Sequence, residues 1–249
     1  MKYFNVNINS SVGIITFSNG KVNALNEEVI DELMDILSSF EKNQQIKSLI
    51  LTGTGKFFSF GFDIPLFMSY SKENFTKYLK KFTALYKYLF TFPKFTLAGL
   101  NGHTIAGGCM IALACDKRIM INGNVKISLN EITFGSSVFA GSIEMLRFIV
   151  GSKNATEILY TGKMYDVYDA LKIGLINKIL DENKFKENVF LIAKDYANKS
   201  IQAFSNIKLL LRKPIAEEME KHENRSIAEF VDIWYYRQTQ KYLKEIKIY

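Results

Sequence analysis

The stretch NGHTIAGGCMIALACDKRI, residues 101–119, decides how the rest of the chain is read. It sets a glycine pair, Gly107 and Gly108, at the start of an apolar run with helical character. Glycines there bare the backbone to a ligand, and the peptide N–H groups at a helix start favour negative charge. The preceding KFTLAG (94–99) reads as a strand ending at the turn Asn101-Gly102, with the helix beginning from that turn. The following KRIMI (117–121) reads as the next strand. Strand, turn, helix and strand in close succession is an α/β pattern. The side chain three residues past Gly107 is Met110, which neither takes nor gives a proton. If the glycine pair serves catalysis, its acid or base comes from elsewhere in the chain.

Working outward, YFNVNI (3–8) and VGIITF (12–17) read as strands around a turn at Asn9 to Ser11. A helix is predicted over 26–42, with Asn26 as N-cap and Glu27, Glu28 and Asp31 suited to the dipole. Val29, Ile30, Leu33, Met34, Leu37 and Phe40 share its apolar face. SLILT (48–52) is a short apolar strand, followed by a glycine-rich loop with Gly53, Gly55 and Gly61. Residues 72–90 predict an amphipathic helix, with Phe75, Tyr78, Leu79, Phe82, Tyr86 and Leu89 inward and Lys77, Lys80, Lys81 and Lys87 elsewhere. Downstream come a strand in VKIS (125–128), helix from Gly141 to about Ile173, and a last strand in INKIL (176–180). Everything after Glu182 reads as helix with one break, at Pro214. Together these give an α/β core with a helical C-terminal extension.

Composition narrows the function classes. A chain that is 48% hydrophobic and 23% charged is an ordinary globular sequence. No apolar run approaches the roughly 20 residues of a membrane span. MKYFNVNI alternates like a strand rather than a signal peptide, and KEIKIY matches no retention or peroxisomal tripeptide, so a cytoplasmic location and no membrane partner are expected. Cys109 and Cys115 read as core thiols, and with only two histidines no metal site is expected. The net charge of +7 suits nucleic acid, an anionic membrane or a phosphorylated small ligand. Six lysines against one glutamate within residues 72–94 concentrate it. Aromatic–glycine nucleic-acid motifs are missing, so a nucleic-acid partner is not expected.

Two glycine-bearing turns each follow a short apolar strand: FSFGFDI (58–64) and AGGC (106–109). Exposed N–H groups at such turns hold an oxygen that gains negative charge. Taken singly, each is an ordinary turn. Taken together they carry a family resemblance. KVNALN (21–26), GKFFSFGFDI (55–64), NGHTIAGGCMIALACDKRI and ILYTGKMYDVYDALKIGLINKIL (158–180) resemble, in order, four segments of the crotonase superfamily, the enoyl-CoA hydratases and isomerases. These are the early adenine-contacting segment, the first oxyanion loop, the second oxyanion loop with its helix, and the TG…A…GL stretch. The likeness covers nearly the whole chain.

The resemblance implies a spiral of ββα units in a single domain over residues 1–249. Residues 1–196 would form the spiral and 197–249 a helical part that assembles a homotrimer or dimer of trimers. It implies an acyl-CoA substrate, no cofactor and no metal. The backbone N–H groups of Phe62 and Gly107 would clamp the thioester oxygen, with Val22, Ala24, Leu25, Gly61, Asp63, Ile64 and Gly108 around the substrate. Hydratases of this superfamily use two glutamates. The first falls at Met110 here; the second is matched by Glu131 in ISLNEITFG. One carboxylate suffices to carry a proton from C2 to C4 of a 3-enoyl-CoA. AGGC with its apolar successor, ALACDKRI, LNEITFG and the ending FV…QKYL resemble the mitochondrial-type 3,2-enoyl-CoA isomerase branch. Isomerisation in fatty-acid β-oxidation is therefore expected. Leu129, Ile132 and Phe134 would raise the Glu131 carboxyl pKa.

Rival readings are a hydratase, another single-base reaction such as decarboxylation or thioester hydrolysis, and a non-catalytic acyl-CoA-binding protein. Without the resemblance, Glu131 reads as a capping or salt-bridging surface residue. His103 reads as a turn residue, His222 as solvated, Asp63 as a loop brace and Asp116 as structural. The lysines of 72–90 read as a solvated face, some drawing CoA phosphates. Phe67, Met68, Phe134, Phe139 and Trp234 are candidates for an acyl pocket.

Overall fold

The structure, a computed structural model, describes residues 1–246; the final KIY of the chain lies outside them. Strands β1 (Phe4–Asn9) and β2 (Val12–Phe17) pair antiparallel, and α1 (Glu27–Lys42) follows. The Asn26 side chain accepts from the Val29 N–H at the start of α1, a cap worth about 1 kcal/mol. Then come β3 (Ser48–Gly53), β4 (Phe57–Ser59), the single turn α2 (Ile64–Phe67) and α3 (Lys72–Phe90). The next unit is β5 (Phe95–Leu100), β6 (His103–Ile105) and α4 (Gly107–Ala114). The third is β7 (Lys117–Ile121), β8 (Ile127–Ser128), a 3-10 turn at Glu131–Phe134 and α5 (Ala140–Thr161). Helix α6 (Val167–Lys172), β9 (Lys178–Leu180) and α7 (Phe185–Ala197) complete the spiral, and α8 (Ile201–Trp234) and α9 (Arg237–Glu245) close the chain.

Each unit repeats one plan: a long strand, a short strand, then a helix. The long strands lie in a sheet of order β1-β2-β3-β5-β7-β9, parallel from β2 onward. The short strands form a second parallel sheet, β4-β6-β8. This is the expected spiral of ββα units. Helix α7 covers one face of the large sheet with Phe185, Val189 and Ala193 against Ile50, Leu97 and Ile119. The main core lies on the other side and is rich in aromatics. All six inward residues expected of α3 are fully buried there. Helix α4 is buried along its whole length, as an apolar run with no polar face requires.

The buried end of α4 is closed by cations from α8. Arg212 donates to the Ala114 and Phe90 carbonyls at 3.0 and 2.9 Å. Asp116, just past α4, pairs with Lys208 at 2.9 Å and Arg212 at 3.1 Å and accepts from the Thr96 N–H. A helix C-terminus favours positive charge, so this knot docks α8 onto the core and makes Asp116 structural.

Several expectations are corrected. Residues 103–105 are strand β6, so α4 starts at Gly107, and His103 is a strand residue whose Nδ1 accepts from the Lys126 N–H. The glycine loop after β3 likewise contains β4. Pro214 does not break α8: the carbonyl it leaves unpaired belongs to Leu210, on the exposed side where water can serve it. The chain turns instead between α7 and α8 and at Tyr235–Tyr236. Five of the six lysines of 72–94 are engaged: Lys72, Lys77, Lys81 and Lys87 pair with carboxylates, and Lys94 caps the end of α1 through the Phe40 and Asn43 carbonyls.

Candidate active site

Three neighbouring parallel strands bring the candidate residues together. Beside each other, β4, β6 and β8 end at Ser59, Ile105 and Ser128. The chain leaving them delivers Phe62, Gly107 and Glu131 to one edge of the small sheet. Ligands bind at such carboxyl ends of parallel strands because the loops there converge.

The first loop is held by main-chain bonds. The Leu25 N–H donates to Gly61 O, the Asp63 N–H donates to Leu25 O, and the Phe60 N–H donates to Val22 O. Ser59 Oγ donates to Asn23 O at 2.8 Å and accepts from the Gly61 N–H. Gly61 has φ +100°, and a Cβ there would lie 2.9 Å from the Gly107 nitrogen, so only glycine lets the two loops meet. Among the described residues, no acceptor takes the Phe62 or the Gly107 N–H. Ala106 holds φ 48° and ψ −120°, a conformation an alanine rarely adopts, at the point where the chain turns into α4. Gly108 serves packing: a Cβ on it would lie 2.5 Å from Ser59 O.

Glu131 opens the 3-10 turn and is 5% exposed. Neither carboxyl oxygen has a hydrogen-bond partner, and burial pushes its pKa up to about 8. The turn is braced from behind: Ser136 N–H donates to Glu131 O, and Thr239 Oγ1 of α9 donates to Gly135 O at 2.8 Å.

A cavity of about 310 Å³ opens at this edge. Phe62, Ile64, Gly107, Met110 and Glu131 line it, with Phe134, Phe139, Phe230 and Trp234 as an apolar wall. Tyr242, Glu245 and Ile246 cover it from the C-terminal end. Phe67 and Met68 are not in the wall; Phe67 sits behind Phe62 in the core, 5.7 Å ring to ring. Ile132 is half-exposed and Leu129 buried, and both line a second cavity that Glu131 and Ser136 also border; Phe134 lines the main one. Val22 and Leu25 strap the first loop through their backbone, whereas the Ala24 carbonyl accepts from the Asn19 amide, and none of the three is in the cavity lining. Asp63 caps α2 through the Leu66 N–H, which is the brace expected of it.

Sequence reasoning missed four contributors. Asn23, fully buried at φ 49°, ties the first loop to Thr54 O and Phe57 O through its amide; asparagine tolerates that backbone better than most residues. Ser136 lies near Glu131 only because the 3-10 turn folds back. Thr239 and Leu243, buried and four apart, mark a packed face of α9 that the sequence spacing allows, although what it covers is visible only in three dimensions.

Two unclaimed amides beside a carboxyl that titrates near neutrality, inside a largely apolar cavity, are equipment for enolate chemistry. Comparison with known proteins identifies the family. The family model for enoyl-CoA hydratase/isomerase matches residues 7–245. This chain belongs to that family, within the crotonase superfamily. A probable enoyl-CoA hydratase of Bacillus subtilis is 30% identical over 85% of this chain and 82% of its own. The mitochondrial enoyl-CoA delta isomerase 1 of Mus musculus is 25% identical over 96% of this chain and 84% of its own. The crystal structure of human mitochondrial delta3-delta2-enoyl-CoA isomerase superposes with a TM-score of 0.93, at 24% identity, covering 98% of this chain and 96% of that one, a likeness of fold. An enzyme of the enoyl-CoA hydratase/isomerase family acts on acyl-CoA thioesters, and no helix among the described residues is long and apolar enough to cross a membrane.

Proposed function

We propose that this enzyme is a 3,2-enoyl-CoA isomerase. The observation that carries the reading is the contrast at the cavity wall: Glu131 is a buried, unpaired carboxyl, whereas the helix position that would carry a second buried acid holds Met110, 1% exposed. The ionised Glu131 takes the C2 proton of a 3-enoyl-CoA. Charge moves onto the thioester oxygen, where the Phe62 and Gly107 N–H groups stabilise it; one such donor is typically worth about 3 kcal/mol. The same carboxyl, now protonated, returns the proton to C4, and the double bond lies between C2 and C3. The proton removed is the proton restored, so no cofactor or metal is needed. Exposed Ile207, Leu210 and Leu211 on α8 are the surface we assign to the homotrimer.

One observation favours hydration as a second reading: Glu245 of α9 also lines the cavity and supplies an acid that Met110 does not. The test measures wild type, Glu131→Gln and Glu245→Gln with 3-enoyl-CoA and 2-enoyl-CoA. Isomerisation requires 3-enoyl-CoA turnover that falls about 10²- to 10⁴-fold in Glu131→Gln and survives in Glu245→Gln. Hydration of 2-enoyl-CoA that is lost in both variants would establish the second reading instead.

A further inference from the structure

The two amides offered to the thioester oxygen belong to separate segments, and packing alone sets the distance between them. Among the described residues, no hydrogen bond joins residues 60–64 to residues 106–110. The first segment is tied to Val22, Leu25 and Ser59, the second to Ser128 O through the Ala106 N–H. Strands β4 and β6 pair upstream, no further than Ser59 and Thr104. Past that point the segments meet at two contacts. One is the close approach of Gly61 to the Gly107 nitrogen. The other is the Phe62 side chain: a Cβ on Gly107 would lie 3.1 Å from both Cδ1 and Cε1 of its ring, so the ring takes the space a side chain at 107 would fill. Leu25 Cδ1 lies further off, at 3.4 Å from the same point.

The ring is itself held from three directions. It meets Phe67 of α2 and Tyr78 and Phe82 of α3 edge-to-face, with centroids 5.7, 5.3 and 4.9 Å away, the arrangement that ring quadrupoles favour. Those three residues are fully buried, and a close-packed interior yields little under load. We propose that the Phe62 side chain is a positioning residue, a wedge that transmits the place of the aromatic core to Gly107 and so sets where the Gly107 N–H stands relative to the N–H of Phe62. One residue then serves the thioester oxygen twice, directly through its amide and indirectly through its ring. Donors of this kind stabilise charge only when aimed in advance at the atom that gains it, so a small displacement of one is costly. A smaller residue at 62 would keep the amide and lose the wedge.

The inference rests on the oxyanion reading of those two amides, and its test reads that site without turnover. A thioester carbonyl that accepts strong hydrogen bonds stretches at lower frequency than a free one. Hexanoyl-CoA, isotope-labelled at its carbonyl carbon and saturated so that it has no double bond to move, is bound at saturating concentration and observed by isotope-edited infrared difference spectroscopy. Wild type should lower the carbonyl band from its position in free hexanoyl-CoA. Phe62→Ala keeps the peptide N–H and removes the ring, so it should lose about half or more of that shift while still binding the thioester. Phe62→Val lacks the Cδ1 and Cε1 atoms that reach Gly107; it should lose a comparable part, and it serves should Phe62→Ala fail to fold. The full shift retained in a folded variant overturns the proposal and leaves the oxyanion site standing. Binding abolished in both variants would make the ring acyl wall instead of wedge, and overturns it too. A wild-type band that does not move overturns the oxyanion reading itself, and the proposal with it.

Discussion

Two carboxylates lie at opposite ends of the same short helix, and the protein treats them differently. Beyond the C-terminus of α4, Asp116 is surrounded by Lys208, Arg212 and the Thr96 N–H and hydroxyl, every contact between 2.8 and 3.1 Å. Near its N-terminus, Glu131 has burial and no partner at all. Removing a charge from water is costly unless a counter-charge or hydrogen bonds replace the water. At Asp116 the chain supplies both, and the carboxylate joins two segments of the fold. At Glu131 it supplies neither, and the carboxyl is held close to its protonated form. A group kept in that state is poorly suited to bracing a structure and well suited to exchanging protons near neutral pH.

The largest structural effect should come from breaking the satisfied site. Asp116→Asn keeps the shape but leaves Lys208 and Arg212 buried without a counter-charge; burial already lowers the Lys208 pKa to about 8. Removing one partner of a buried ion pair typically costs about 3–5 kcal/mol, and urea unfolding should show a loss of that size. The folded fraction should retain its turnover, because Gly107 is at the other end of α4. A loss below about 1 kcal/mol would mean that the knot contributes little to holding α8.

Removing charge from the unsatisfied site should do the reverse. The Glu131 pKa is about 8 when folded, against 4.5 as its ordinary value. Below pH 4.5 both states hold the proton. Between pH 4.5 and 8 the unfolded chain releases it while the folded chain retains it, so folding loses stability as pH rises, and the loss levels off above 8. Glu131→Gln has no such dependence. Its melting temperature should match wild type at pH 4 and exceed it at pH 8, by the equivalent of a few kcal/mol. Wild-type kcat/KM should climb about tenfold per pH unit below pH 8 and then flatten, because the base must be ionised. Parallel melting curves across this range would show that Glu131 is solvated in the folded protein.

Why one of these sites was readable and the other only half so is a matter of range. The elements follow local patterns: the Asn26 cap, the buried face of α3 from Phe75 to Leu89, and the continuous apolar run of α4 all fall where the sequence puts them. Strands β4 and β6 escaped because three residues leave no period to read, and Pro214 misled because its cost depends on exposure the sequence does not show. The two glycine turns were legible as turns, but the need for glycine at 61 is only half local: it lies in the φ of +100° and in the close approach of the distant Gly107. Glu131 was placed by family likeness; its isolation is a product of Ser136, Phe139, Trp234 and α9 closing around it from distant parts of the chain. The knot at Asp116 joins residues about 90 positions apart, from Asp116 to Lys208, and no spacing rule reaches that far.

The smallest predicted effect concerns how the unsatisfied carboxyl is kept in place. With no hydrogen bond of its own, Glu131 is oriented by its turn, and the turn is tied to α9 through the Thr239 hydroxyl and the Tyr242 ring against Gly135. Thr239→Val keeps the side-chain volume and leaves the half-buried Gly135 carbonyl without its donor. One such bond is worth about 1 kcal/mol to stability, a modest change in unfolding midpoint. Catalysis should respond differently from binding. The acyl wall of Phe139, Phe230 and Trp234 is untouched, so KM should hold, whereas a base that wanders by a fraction of an ångström should lower kcat several-fold. If kcat holds while stability falls, α9 is packing alone, and the position of Glu131 is fixed by the 3-10 turn itself.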